Sequence, residues 1–220
     1  MSVSSRIRMQ VVRSVAPEAE GSASTSTAST SAKLGSHTTG VADSGRWSTR
    51  RIAMYALFVA LAMVTSFIEF PITPVTWLKY DPSGIVCLIA ALAFGPKLGA
   101  AVAIISWLPR VFLDPFGAPM GMLSTCAFII PAAIIYLKGE RSRKASVAGM
   151  VVGAALSIAV SCAMNLVVTP LYTAIAVEDV AAMIVPVLLP FNTLKMVINV
   201  TAGQVLLAPC MNVLKARKGA

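Results

Sequence analysis

One uninterrupted apolar run decides the class of fold: residues 147–168, VAGMVVGAALSIAVSCAMNLVV, in which no side chain is charged. A helix needs about 20 apolar residues to cross the hydrocarbon core of a bilayer. The run meets that length, and two basic residues, Arg143 and Lys144, stand just before it. The sequence therefore predicts a membrane-spanning helix at this point of the chain.

The composition of the whole chain agrees with a membrane protein. Hydrophobic residues make up 57% of the 220 residues and charged residues only 12%, whereas about 25% charged residues is usual in a globular protein. So few charges cannot cover the surface of a soluble protein of this size. The composition excludes a secreted disulfide scaffold, a collagen-like chain and a mostly disordered protein.

Six apolar segments follow one another after Arg51. Their approximate bounds are 52–68, 84–94, 98–113, 121–137, 147–168, and a last one that begins between 181 and 191 and ends near 214. The second and third are short for a spanning helix, so they must either tilt and pack inside a bundle or form a pair that spans incompletely. The pattern predicts an all-α integral membrane protein with a bundle of six transmembrane helices.

The two ends of the chain differ from this apolar part. Residues 1–46 are of low complexity, with eleven Ser or Thr among the twenty residues 21–40. Such a segment buries too little apolar surface to offset the entropy lost on ordering. We expect a disordered tail at 1–46, a transmembrane domain at 47–215 and a basic C-terminal end at 216–220.

The distribution of basic residues predicts the orientation. With six spans and a cytoplasmic N-terminus, fifteen of the 18 Lys and Arg residues fall on the cytoplasmic side and two, Lys79 and Arg110, in outer loops. This asymmetry fits the positive-inside rule and places both termini in the cytoplasm. The net charge of +9 therefore marks topology, and a nucleic-acid partner is not expected.

The remaining basic residue, Lys195, lies inside the sixth apolar segment, in the stretch PFNTLKMVIN at 190–199. Asn192, Lys195 and Asn199 recur at intervals of three and four residues, so they share one helical face. A charge near the hydrocarbon usually faces a cavity or a partner, which favours a polar ligand site. The alternative is that Lys195 reaches to the interface while the amides bridge helices.

The fifth segment offers a second candidate. Asn165 follows a run of small residues at intervals of four, Gly149, Gly153, Ser157 and Ser161. We assign that run to close helix packing. Asn165 has the better claim to a ligand, in a pocket that faces the sixth segment.

Two further features concern the first segment and the loop after it. Residues 69–81 form a long loop with two prolines and the aromatic residues Trp77 and Tyr80, which could cover a flat ligand or lie at the level of the lipid headgroups. Ala56 and Ala60 are four residues apart in the first segment, where small side chains permit close contact with another helix.

Several kinds of site are missing from the sequence. There is no phosphate-binding lysine loop, no zinc-protease motif and no nucleophile elbow, so an enzyme is not expected. All four cysteines lie in apolar stretches and the single histidine, His37, is in the tail, which argues against a metal site. A small polytopic protein without energy-coupling machinery is typical of a capture subunit.

From residue 50 to about 215 the chain resembles the substrate-binding S components of energy-coupling factor (ECF) vitamin transporters, in particular the riboflavin type. The matching stretches are Phe70-Pro71-Ile72, Leu78-Lys79-Tyr80-Asp81-x-Ser83, Ala93-Phe94-Gly95-Pro96-x-x-Gly99, Asn165-x-x-x-x-Pro170-Leu171-Tyr172 and Pro190-Phe191-Asn192-x-x-Lys195. The last two are the most specific. The resemblance implies a multi-pass protein of the bacterial cell membrane.

The resemblance also implies residue roles. Asn165, Asn192 and Lys195 would hydrogen-bond riboflavin, which would be a transported ligand and no cofactor. The lid over the ligand would be formed by Trp77, Leu78 and Lys79, and the contact with the transmembrane T component by Ala56 and Ala60. The T component and two cytoplasmic ATPases would supply the energy.

This chain departs from the family pattern at two places. Ser106-Trp107 stands where the family often has Lys-Asn, and Ser124-Thr125-Cys126 where it often has Ala-Asn-Phe. Thr125 can still donate and accept a hydrogen bond, so we include it among the candidate ligand contacts. An S component for another vitamin, and a ligand-free helical membrane scaffold, remain the alternatives.

Overall fold

Helices make up most of the computed structural model, which describes residues 49–216 except Thr73, Pro74, Thr76 and Trp77. The elements in chain order are α1 (Thr49–Ser66), β1 (Phe70–Pro71), β2 (Lys79–Tyr80), α2 (Ser83–Phe94), α3 (Pro96–Trp107), a 3-10 turn (Leu108–Phe112), α4 (Gly117–Lys138), α5 (Arg143–Thr173), α6 (Val177–Met183), a π turn (Ile184–Leu188) and α7 (Leu189–Ala216). The predicted tail at 1–46 and most of the predicted C-terminal end lie outside the described residues.

Three helical stretches of the described chain are long and apolar enough to cross a membrane: Gly117–Lys138, Arg143–Thr173 and Val177–Asn212. Arg51–Ser66 and Ser83–Phe94 are shorter apolar helices. The protein is therefore mostly helical and built for a membrane. The count of six spans and the cytoplasmic placement of both termini stay predictions.

The structure has helix in each of the six predicted apolar segments, with three differences. The third segment ends as α-helix at Trp107, because Pro109 lacks a backbone donor and the chain continues as a 3-10 turn. The sixth begins at Val177 and contains the π turn. The loop after the first segment contains a short antiparallel pair, in which Phe70 is opposite Tyr80 and Pro71 opposite Lys79, so the fold is not strictly all-α.

Helix α2 lies at the centre of the fold. Five consecutive residues near its middle, Leu88 to Leu92, are at most 5% exposed. A helix that is apolar on all sides is buried on all sides. This explains how a segment of 12 residues belongs to the fold without the length of a membrane span: it packs inside the bundle, in contact with α1, α3, α4 and α7.

Helices α4 and α5 pack closely, as the run of small residues predicts. A Cβ added at Gly149 would lie 2.7 Å from the carbonyl oxygen of Ala132, and one added at Gly153 would overlap the carbonyl oxygen of Phe128. Both positions are buried in α5. The two backbones can therefore approach this closely only because these residues lack side chains.

We predict that Gly153→Ala lowers stability, because the added methyl group forces α4 and α5 apart. Overpacking of this kind costs about 1–3 kcal/mol, enough to lower the melting temperature of the detergent-purified protein by several degrees. Ala155→Val adds more volume at an exposed position of the same helix and serves as the control. Equal melting temperatures for the two variants would contradict the prediction.

Candidate ligand-binding site

A cavity of about 310 Å³ lies between α4, α5, α7 and the segment around β2. This volume lies at the lower end of the range of about 300–1,000 Å³ for cavities that bind small molecules. The described residues that line it are Glu69, Leu78, Lys79, Asp81, Trp107, Arg110, Asp114, Gly117, Met120, Gly121, Ser124, Ser161, Asn165, Tyr172, Phe191, Asn192 and Lys195. The structure therefore brings together five predicted site residues: Asn165, Asn192, Lys195, Leu78 and Lys79.

On α5, the amide of Asn165 has a fixed orientation. Its Nδ2 donates to the carbonyl oxygen of Ser161 at 2.8 Å, and its Oδ1 accepts from the Thr169 hydroxyl at 3.0 Å. Because a carbonyl oxygen can only accept, the group beside Ser161 must be the NH2. One N–H and one lone pair of Asn165 remain for a ligand.

On α7, Asn192 is anchored in the same manner, with Nδ2 donating to the carbonyl oxygen of Leu188 at 2.8 Å. Leu188 is the last residue of the π turn, a feature that is frequent at functional sites. Asn192 is 5% exposed. Both asparagines thus bond within their own helices and still present polar atoms at the cavity.

Lys195 faces the cavity and also has a charged partner. Its Nζ donates to Oδ2 of Asp81 at 3.3 Å, although the sequence analysis placed residues 69–81 in an outer loop. Asp81 also accepts the backbone N–H of Ser83 at 3.2 Å and the Ser83 hydroxyl. A carboxylate at the start of α2 is favourable, since the first N–H groups of a helix lack partners within it.

Asn199, the third polar residue on the predicted face of α7, does not line the cavity. It is 1% exposed, and its Oδ1 accepts the hydroxyl of Tyr80 at 3.0 Å. Burial, with a smaller contribution from the charge of Asp81, raises the pKa of Tyr80 to about 12. The phenol therefore remains a donor at physiological pH and holds β2 against α7.

The predicted lid residues have different environments. Leu78 is 6% exposed and packs with Val180, Leu188 and Phe191. The Lys79 side chain is 47% exposed and donates to Glu69 at 2.6 Å. Leu78 is therefore a buried part of the cavity wall, whereas Lys79 is a solvent-exposed part of it. Trp77, the third predicted lid residue, lies outside the described residues.

Arg110 lines the cavity, although its sequence position predicts only a topology marker in an outer loop. It pairs with Glu69, donates to the carbonyl oxygen of Ser66 at the end of α1, and lies 5.2 Å from the ring centre of Trp107. Burial lowers the pKa of its guanidinium, and the charge of Asp114 opposes that effect. Its one sequence signal was a basic residue at the end of an apolar segment.

Thr125 is buried in α4 but is not part of the cavity wall; its neighbour Ser124 is. Ser161, which the sequence analysis assigned to packing, also lines it. Ser124 and Ser161 therefore present hydroxyls at the cavity in this structure, and the ligand contact of Thr125 stays a prediction.

The predicted partner residues lie elsewhere. Ala56 and Ala60 are exposed on α1, together with Ala53. Nearby Leu57 and Val64 are each 61% exposed. This face of α1 is apolar and exposed.

The described cavity wall carries equal numbers of acidic and basic residues. Glu69, Asp81 and Asp114 face Lys79, Arg110 and Lys195. Each of the three basic side chains takes part in a salt bridge, and Asp114 accepts the backbone N–H of Gly117 at 2.7 Å. The cavity is polar without a net charge, which suits an uncharged polar ligand.

Comparison with known proteins identifies the family. Residues 50–206 match the family "ECF transporter, substrate-specific component". The chain is 31% identical over 156 residues to the riboflavin transporter RibU of Staphylococcus aureus (strain TCH60), covering 66% of this chain and 82% of that protein. It is 24% identical over 159 residues to the riboflavin transporter FmnP of Bacillus subtilis (strain 168), with coverages of 66% and 84%.

The fold points to the same family. A solved structure of the S component of a bacterial ECF transporter superposes with a TM-score of 0.66 at 28% sequence identity, over 76% of this chain and 98% of that one. The chain belongs to the family of substrate-specific S components of ECF transporters. It is a transporter component and not an enzyme, and the family resemblance read from the sequence is confirmed.

We predict that Asp81→Asn destabilises the protein, because it leaves the Lys195 charge in a buried site without its counter-ion. Breaking one side of a buried ion pair typically costs about 3–5 kcal/mol. Thermal unfolding in detergent measures the loss, with Asp179→Asn as the control at an exposed acidic position of α6. If the two variants have the same melting temperature, the Lys195–Asp81 pair does not stabilise the fold.

Proposed function

We propose that this protein is the riboflavin-binding S component of an ECF transporter and takes up the vitamin across the bacterial plasma membrane. The observation that carries the proposal is the cavity in which Asn165, Asn192 and Lys195 meet beneath Leu78. Relatives that are 31% and 24% identical are named riboflavin transporters, and they support the choice of ligand.

Riboflavin matches the chemistry of this cavity. It is an uncharged molecule with a flat ring that carries carbonyl and nitrogen groups, and with a chain of hydroxyls. The wall offers polar atoms of Asn165 and Asn192, the cation of Lys195 and the ring of Phe191, with no net charge. Pairing each ligand group in a site away from water gives selectivity, since an analogue that lacks one group leaves a buried protein group unpaired.

Each predicted residue has a specific part in this proposal. Asn165 and Asn192 hydrogen-bond the ligand with the atoms that their own helices leave unused. Lys195 donates to a ring carbonyl while it stays bound to Asp81, since an ammonium group has three donors. Leu78 covers the ligand, and Lys79 and Trp77 complete the lid.

The cavity also bears on the two alternatives. A ligand-free scaffold predicts that the polar faces of α5 and α7 meet directly, whereas here a cavity of about 310 Å³ lies between them. An S component for another vitamin differs only in its ligand, and a panel of vitamins separates it from the riboflavin protein.

In the membrane, we propose six spans with both termini in the cytoplasm, in keeping with the positive-inside distribution. The exposed face of α1 around Ala56 and Ala60 contacts the T component, and two cytoplasmic ATPases supply the energy. An exposed apolar face with small side chains supports this, because it allows another helix to approach closely.

The binding prediction is tested by titrating the purified protein with riboflavin and following the quenching of flavin fluorescence. We expect saturable binding by the wild type. Asn165→Ala and Asn192→Ala should weaken it on the order of 10- to 100-fold, because each leaves a ligand group unpaired.

The matched control is Lys97→Ala, which removes an exposed lysine of α3 that is not part of the cavity wall. It should bind riboflavin like the wild type. A wild-type protein that does not saturate with riboflavin, but that another vitamin stabilises in a thermal-shift panel, would replace the ligand in this proposal.

The partner prediction separates binding from transport. Ala56→Leu with Ala60→Leu should abolish co-purification with the T component and reduce riboflavin uptake by cells by about 10-fold or more, since bulky side chains prevent close helix contact. Riboflavin binding by the isolated protein should not change. Ala155→Leu with Ala159→Leu, at two exposed positions of α5 that are likewise four residues apart, is the control. Normal co-purification of the Ala56 and Ala60 double variant would exclude this face of α1 as the interface.

A further inference from the structure

Three serines form a chain of hydrogen bonds between α4 and α5 at one wall of the cavity. The Ser124 hydroxyl lies 2.9 Å from that of Ser157 and 2.8 Å from that of Ser161. Ser157 also donates its hydroxyl to the carbonyl oxygen of Ser124 at 2.9 Å. Ser124 and Ser161 line the cavity, while Ser157 is fully buried behind them.

Only one arrangement of the three hydroxyl protons makes all three of these contacts hydrogen bonds. A carbonyl oxygen only accepts, so the single proton of Ser157 goes to the Ser124 carbonyl. Ser124 must then donate to the Ser157 oxygen, because Ser157 has no second proton. By the same count, Ser161 must donate to Ser124.

This order leaves the cavity end of the chain with acceptors only. The proton of Ser161 is used inside the wall, while its oxygen keeps lone pairs. The carbonyl oxygen of Ser161 accepts from Asn165, so the backbone there is engaged as well. A ligand group that hydrogen-bonds the Ser161 hydroxyl must therefore be a donor.

We propose that the Ser161 hydroxyl, oriented through Ser124 by Ser157, is a specificity-determining acceptor for a rigid N–H donor of the ligand. The inference rests on the proposed function, and for riboflavin that donor is the imide N–H at ring position 3. A sugar-alcohol hydroxyl can turn to donate or accept and gains little from a fixed acceptor. A ring N–H can only donate and matches it.

The test compares riboflavin with 3-methylriboflavin, which lacks that donor, by the same fluorescence titration. The wild type should bind the methylated compound at least about 10-fold more weakly. Ser161→Ala should bind riboflavin about 5- to 30-fold more weakly than the wild type. For this variant, the dissociation constant of 3-methylriboflavin should exceed that of riboflavin by about threefold or less.

Ser157→Ala tests the orientation of the protons, since Ser157 is not part of the cavity wall. Without it, Ser124 is free to donate to Ser161, and Ser161 turns its proton to the cavity. The dissociation constant for riboflavin should rise at least about threefold while that for 3-methylriboflavin changes less than about twofold. A merely structural defect would weaken both ligands alike.

Ser106→Ala is the matched control, because Ser106 is a buried serine that donates to the carbonyl oxygen of Ala103 and does not line the cavity. Wild-type protein that binds no riboflavin overturns the proposed function and this inference with it. If the wild type binds and the Ser161 and Ser157 variants behave like the Ser106 variant, or weaken both ligands equally, only this inference is overturned.

Discussion

The ion pair between Lys195 and Asp81 is the interaction on which the site depends. It joins the first third of α7 to the start of α2, and Asp81 follows β2 directly, so the β1–β2 pair is held at the same point. The contact spans 114 positions in sequence. With Tyr80 bonded to Asn199, it fixes the lid segment to the helix that carries two of the ligand-binding candidates. A single charged contact thus ties three elements that line the cavity together.

Polar groups in the cavity wall follow a common rule: each is first anchored within the protein. Asn165 and Asn192 donate to carbonyl oxygens one turn earlier in their own helices, and the serines donate to one another. Such anchoring satisfies part of each group in a site away from water and leaves the rest in a defined direction. The cavity is therefore organised before a ligand arrives, which lowers the entropy lost on binding.

The sequence predicted correctly those features for which a residue type in its context has a single structural interpretation. Asparagine and lysine inside apolar segments predicted three cavity residues, and apolar length predicted the helices. It did not predict contacts between residues that are far apart in the sequence. No local pattern links Asp81 to Lys195, and each strand of the β1–β2 pair is only two residues long. Ser161 was missed because a small residue at helical spacing fits packing and ligand binding equally, and only the position of α4 shows that it does both.

The π turn between α6 and α7 has a consequence for the register of the whole C-terminal helix. A π turn holds one residue more than the α-helix it interrupts, and one residue corresponds to about 100° of rotation. Without it, α6 would turn by that angle relative to Asn192 and Lys195. Val180 would then leave its place against Leu78. Because of the extra residue, α7 can direct Asn192 and Lys195 toward the ligand while α6 directs Val180 toward Leu78 of the lid.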